Sequence, residues 1–201
     1  MRRHEGFTLL ELLVVIITLG ILSVVMTLSI KTMSTTADAN NVINNMLMLK
    51  NAALAWYKEN LSRMVIDSQG GCKIKTKGIE QTFGEFVQTN SGDILQYLDN
   101  TSSLILRSAT KKPNTNNTGD YTLQAMNSNK QWYVCYNAGT TSYTITKYGE
   151  EAPALEIKQK LAGRAAKLGL QGTNDDKDNV LGQFNAQKHK FVCMLILDFS
   201  K

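Results

Sequence analysis

The stretch EGFTLLELLVVIITLGILSVV, residues 5–25, decides how the chain is read. After Gly6 it is almost wholly apolar, and from Leu12 to Ile30 no residue carries a charge. Glu11 is the exception. A carboxylate in hydrocarbon costs on the order of 2.5–3.5 kcal/mol even on lenient insertion scales, so it marks a functional position and calls for a partner. As a helix, Phe7 to Ile30 would be roughly 36 Å long, enough to cross a hydrocarbon core of about 30 Å. Arg2 and Arg3 precede it, and the positive-inside rule then leaves the N-terminus in the cytoplasm. A cleaved secretory signal fits poorly: the apolar run is too long, and the only A-x-A, Ala37-Asp38-Ala39, lies well beyond it. An uncleaved anchor for a periplasmic or extracellular enzyme or binding domain explains the length and leaves Glu11 unexplained.

A third reading uses every odd residue. The leader MRRHEG followed by FTLLE resembles the N-terminus of type IV pilins and type II secretion pseudopilins. The resemblance implies that a prepilin peptidase cuts between Gly6 and Phe7 and methylates the new Phe7 amine. Thr8, Leu9 and Leu10 fit the motif, Glu11 takes the family's acidic position, and Gly20 falls where these helices often carry glycine. Many type IV pilins have a proline eight residues after that glycine. This chain has Leu28 there and no proline before Pro113, a departure commoner among pseudopilins and minor pilins.

Cutting before Phe7 would create an α-amine of unperturbed pKa about 7.7–8.0, cationic at neutral pH. Glu11 lies four residues on, one helical turn away on the same face. In the family, this glutamate is thought to neutralise the Phe amine of an adjacent subunit. A buried charge stripped of its partner is destabilising by several kcal/mol, whereas a matched pair is tolerated and sets register. Snorkelling of Glu11 to the interface is the bland alternative.

From Lys31 to about Ser62 the pattern is amphipathic. Val42, Met46, Leu49, Ala53 and Trp56 recur every three or four residues, with Ile43, Leu47, Leu54, Tyr57 and Leu61 on the adjoining row. One helix is therefore expected from Phe7 to near Ser62. Beyond it, CKIKTKGI (72–79) reads as an edge strand with an outward lysine row, and short helices are expected around Phe83–Phe86 and Ile94–Leu98. YTLQAM (121–126), QWYVCYN (131–137) and TSYTITKY (141–148) read as an antiparallel meander. APALEIKQKLAGRAAKLGL reads as a second helix, GTNDDKDN as a polar loop, and FVCMLIL (191–197) as a closing strand. The expected class is α+β: a long N-terminal helix, half membrane segment and half amphipathic, packed on a small antiparallel sheet head, as in pilins. The divisions are a leader (1–6), a transmembrane or filament-core helix (7–30), its amphipathic continuation (31–62) and a globular head (63–201).

The formal charge is +5, of which the chain from Arg63 onward carries +4, a mild bias that favours solubility. Of the two histidines only His189 follows the leader, between Lys188 and Lys190, where it reads as a solvated residue of a basic turn. No P-loop, G-x-S-x-G or H-E-x-x-H motif is present, and no enzyme activity or cofactor is expected. Asp175, Asp176 and Asp178, in the 173–179 loop, offer oxygen ligands without EF-hand spacing and read as a solvated turn rather than a calcium site. The basic strips at Lys73–Lys77 and Lys111–Lys112 lack interleaved aromatics, and nucleic acid is not an expected partner. The resemblance implies a disulfide in the C-terminal region, which Cys135 and Cys193 would form. Pairing of Cys72 with either one, or three buried thiols, stays open. The resemblance also implies the partners: other pilin or pseudopilin subunits, the prepilin peptidase, an inner-membrane assembly platform and the lipid bilayer. The expected location is the bacterial inner membrane, single-pass, with the head periplasmic or extracellular and later in a filament.

Overall fold

The structure, a computed structural model, describes residues 9–98, 121–138, 151–174 and 180–200. Helix α1 runs Leu9–Glu59, 51 residues or roughly 76 Å. It has no internal proline, and Glu11 in its first turn and Lys58 in its last complement the helix dipole. It ends at Asn60, whose backbone N–H is shared between the Trp56 and Tyr57 carbonyls while its side-chain amide also donates to Trp56. A single 3-10 turn, Leu61–Arg63, follows.

Three short strands come next: β1 (Met64–Ile66), β2 (Cys72–Thr76) and β3 (Ile79–Gln81). They form an antiparallel sheet with β2 in the middle. The lysine-bearing strand is thus central rather than an edge. Its pattern holds, with Cys72 and Ile74 fully buried and Lys75 exposed. Helix α2 (Phe83–Leu95) opens with a capping box, Thr82 accepting from the Glu85 N–H while Glu85 accepts from the Thr82 N–H. Its two helical parts meet at Asn90 (φ −128°, ψ 32°). There the Thr89 and Asn90 side chains both donate to the Phe86 carbonyl, competing with the helix ladder.

A second sheet contains β4 (Tyr121–Met126), β5 (Gln131–Asn137), β6 (Leu170–Thr173), β7 (Gly182–Gln183) and β8 (Phe191–Asp198). Its order is β4-β5-β8-β6-β7, antiparallel throughout. β8 occupies the second edge of β5; the third expected meander strand, 141–148, lies outside the described residues. Helix α3 (Glu151–Leu168) precedes β6 and packs on α1.

The main core lies between the helices and one face of this sheet. From α1 it takes Val42, Met46, Leu49, Ala53 and Trp56, none more than 7% exposed. Leu47 and Leu61, on the adjoining row, are exposed instead. Trp132 is stacked on Phe83 at 4.2 Å, with Phe199 and Tyr57 edge-on at 5.1 and 5.7 Å. A smaller cluster of Met126, Tyr133, Cys135, Phe191 and Cys193 fills the opposite face. The two sheets are joined at the β4–β5 turn, where Asn127, Ser128 and Asn129 are all left-handed (φ 51°, 56° and 63°). Asn129 O accepts the Cys72 N–H at 2.9 Å. Gly71 sits so close that any Cβ would collide with the Ser128 carbonyl oxygen. Asp67 holds this corner by accepting from the Gly71 and Gln69 N–H groups, which, with Lys73 and Lys130 nearby, keep its carboxyl below its usual range.

Among the described residues, no helix is long and apolar enough to cross a membrane. This corrects the expected single-pass inner-membrane location, and with it the uncleaved anchor. By Thr35 and Ala39, both buried, α1 has become part of the head.

Candidate assembly surface

The first half of α1 shows an unusual surface. Every apolar side chain described from Leu9 to Val24 is exposed, from 46% at Val15 to 83% at Leu9. Consecutive residues from Leu12 to Ile17 all belong to this set, so the exposure runs right round the helix. The two hydroxyls within it turn inward on the backbone: Thr18 Oγ1 donates to Val15 O at 2.9 Å and Ser23 Oγ to Leu19 O at 2.8 Å. Nothing lies within 4 Å of where a Gly20 Cβ would stand, so the notch at that position is open.

An apolar area of this extent marks an interaction surface. Burying the remaining half of each large side chain is worth about 1 kcal/mol, and over the dozen or so involved on the order of 10 kcal/mol. A helix that is hydrophobic all round belongs inside a core. One partner helix covers one stripe; full coverage needs several. Glu11 is exposed in the first turn, at the end of the helix whose dipole favours a carboxylate. Gly6 and Phe7, the expected processing residues, lie outside the described residues.

The head brings together Cys135 and Cys193, which are disulfide-bonded and stand directly opposite each other on β5 and β8. The Gln124 amide donates to Cys135 Sγ at 3.1 Å. Cys72 is a free thiol in the other sheet, and burial, helped by Asp67, pushes its pKa up to about 11. At neutral pH it is a poor nucleophile.

His189 is not the solvated residue expected from its lysine neighbours. Its Nδ1 accepts the Asn185 N–H at 3.0 Å, its ring lies against Phe184, and it fills the space over Gly172, where a Cβ would strike the imidazole. Asp175, Asp176 and Asp178 lie outside the described residues, and among those described no group of His, Cys, Asp and Glu could hold a metal ion. A cleft of about 420 Å³ opens between α3, β6 and β7, lined by residues such as Ala165, Gln171 and Gln183. No lining residue is ionisable, so the cleft supplies neither an acid, a base nor a nucleophile.

The sequence reading missed the Asp67–Gly71–Asn129 corner. Its signal is DSQGG (67–71), an aspartate placed to cap a turn that ends in two glycines. No family model, curated protein or solved structure matches the chain.

Proposed function

We propose that this chain is a filament subunit of the type IV pilin and type II secretion pseudopilin class. Residues 1–6 are a leader that a prepilin peptidase removes before Phe7. The apolar half of α1 packs with the same segment of neighbouring copies in the filament core, and the α+β head, carried on the second half of α1, lies outside. The partners are other subunits, the peptidase and an assembly platform; the work is packing rather than catalysis. One observation carries this reading above all. A closed head extends a helix whose apolar side chains are exposed on every side, the state expected of an element whose core is made of other copies.

Glu11 gives the assembly its register. The Phe7 amine freed by cleavage is a cation at the start of an apolar helix, and a glutamate from a neighbouring copy offsets it where water is excluded. Copies out of step would bury two uncompensated charges, each destabilising by several kcal/mol. Glu11→Ala is therefore expected to be cleaved as efficiently as the parent while its incorporation into sheared filaments falls at least about a hundredfold, the equivalent of roughly 3 kcal/mol. The comparison requires only the ratio of cleaved to filament-borne protein on a blot. Parental levels of Glu11→Ala in filaments would refute the pairing.

A further inference from the structure

The far edge of the second sheet has features that assembly through α1 leaves unexplained. β7 is the last strand in the order β4-β5-β8-β6-β7, and among the described residues no strand pairs with its outer side. Sheet edges are ordinarily guarded by lysine, proline or a bulge. The segment Val180-Leu181-Gly182-Gln183 has no charge and no proline, and Val180 is 77% exposed. Beside this edge lies the cleft of about 420 Å³ between α3, β6 and β7, within the range of about 300–1,000 Å³ usual for ligand pockets. Gln171 stands opposite Cys193, and Gln183 opposite Gln171, so the disulfide braces the row that carries both amides. Both glutamines line the cleft, and neither side chain hydrogen-bonds another described residue. Gly169 and Gly182 line it too, and nothing lies within 4 Å of where either Cβ would stand. α3 ends here with its last carbonyls short of helical partners; the Ala166 oxygen receives only a long 3.5 Å contact from the Gly169 N–H.

We propose that this cleft and edge form a peptide-binding site, occupied by a short, extended, uncharged segment of another protein that adds as a strand beside β7. The proposal stands independently of the filament reading. A neutral occupant follows from a lining without an ionisable group, where a charge would lose water and meet no counter-charge. A peptide follows from the polar groups on offer. Each glutamine amide donates and accepts, as a peptide group does, and the helix-end carbonyls accept from N–H groups. The two glycines leave room for a main chain, and not only side-chain tips, to come close. Strand addition draws its affinity from such main-chain hydrogen bonds and its specificity from pockets for alternate side chains. Leu181 supplies an apolar wall for one of these. A saccharide is the poorer fit, because no aromatic ring lines the cleft to cover the C–H face of a sugar.

The test is a titration of the full chain, isotope-labelled and held in detergent micelles, followed by nuclear magnetic resonance. The probe is a tetrapeptide of alternating valine and threonine, acetylated and amidated so that it bears no charge. The backbone amides of 180–183 and the side-chain amides of Gln171 and Gln183 should shift saturably, with a Kd below about 1 mM. The same peptide N-methylated at every peptide bond lacks the main-chain donors and should bind at least about tenfold more weakly. Gly182→Val fills the approach without meeting a neighbour, so it should weaken binding to a similar extent while melting as the parent does. No saturable shift at about 10 mM peptide would overturn the site. Equal binding of the N-methylated peptide would overturn strand addition. Shifts of the same amides by maltotriose and not by the peptide would overturn the ligand class. Filament incorporation of Gly182→Val should stay at the parental level, so failure of this proposal leaves the filament reading untouched.

Discussion

Reducing the Cys135–Cys193 bond is expected to destabilise the head by about 4 kcal/mol, the chain-entropy value for a loop of this length. The cysteines are 58 residues apart, and the loop they close contains α3, β6 and β7. β5 and β8 remain paired from Asn137–Phe191 to Gln131–Asp198 through backbone hydrogen bonds. Reduction should therefore leave the strand register intact and act mainly by releasing the unfolded chain. For a domain of this size the thermal midpoint should fall by roughly 8–16 °C. Melting curves with and without a dithiol reductant measure it. Cys135→Ala/Cys193→Ala should match the reduced parent and ignore the reductant, whereas Cys72→Ala should keep the full response. A midpoint shift of less than about 3 °C would show that the bond is incidental to stability.

Trp132→Ala should have an effect of similar size for a different reason. Trp132 is fully buried and stacks on Phe83, and Tyr57 and Phe199 close its edges. It thereby ties β5 to α1, α2 and the C-terminal segment. Truncation removes the largest side chain at that junction and leaves a cavity that three aromatic neighbours cannot fill, at a cost of about 3–5 kcal/mol. Trp132→Phe separates packing from polarity. Trp132 Nε1 is buried with no hydrogen-bond partner among the described residues, so the indole N–H carries an unrecovered desolvation cost. Phenylalanine gives up some contact and removes that donor, and the net loss should stay within about 1 kcal/mol. Urea unfolding of the two variants measures both values. Equal destabilisation by Ala and Phe would contradict this and show that the smaller ring cannot replace the indole in the packing.

Elements whose own residues decide their state were legible in the sequence. The three-and-four spacing from Val42 to Trp56 marked the buried face of α1, and 121–126, 131–137 and 191–197 were readable as strands from their alternating or β-rich runs. Elements decided by their neighbours were not legible. β6 is LQGT and β7 only Gly182–Gln183, too short and glycine-rich to announce themselves; they are strands because the long edge of β8 pairs with β6 and β6 with β7. The central place of β2 depends on β1 and β3 flanking it, which a row of alternating lysines does not encode. The disulfide pairing became definite only when register placed Cys135 opposite Cys193. His189 looked solvated because the missing Cβ of Gly172, which makes room for its ring, is seventeen positions away in the chain.

At the assembly surface, Glu11 stood out at once as a charge among apolar residues. What surrounds those residues did not, because a long apolar run reads alike whether lipid or other helices cover it.

Intact mass of the native chain recovered from cells tests the central claim most directly. In the proposed reading, leader removal turns an apolar helix that carries one glutamate into a unit whose charges can be matched from copy to copy. The mass should correspond to a polypeptide beginning at Phe7 and bearing one added methyl group on its amine. A chain that keeps Met1, or begins at any other residue with an unmodified amine, would contradict it.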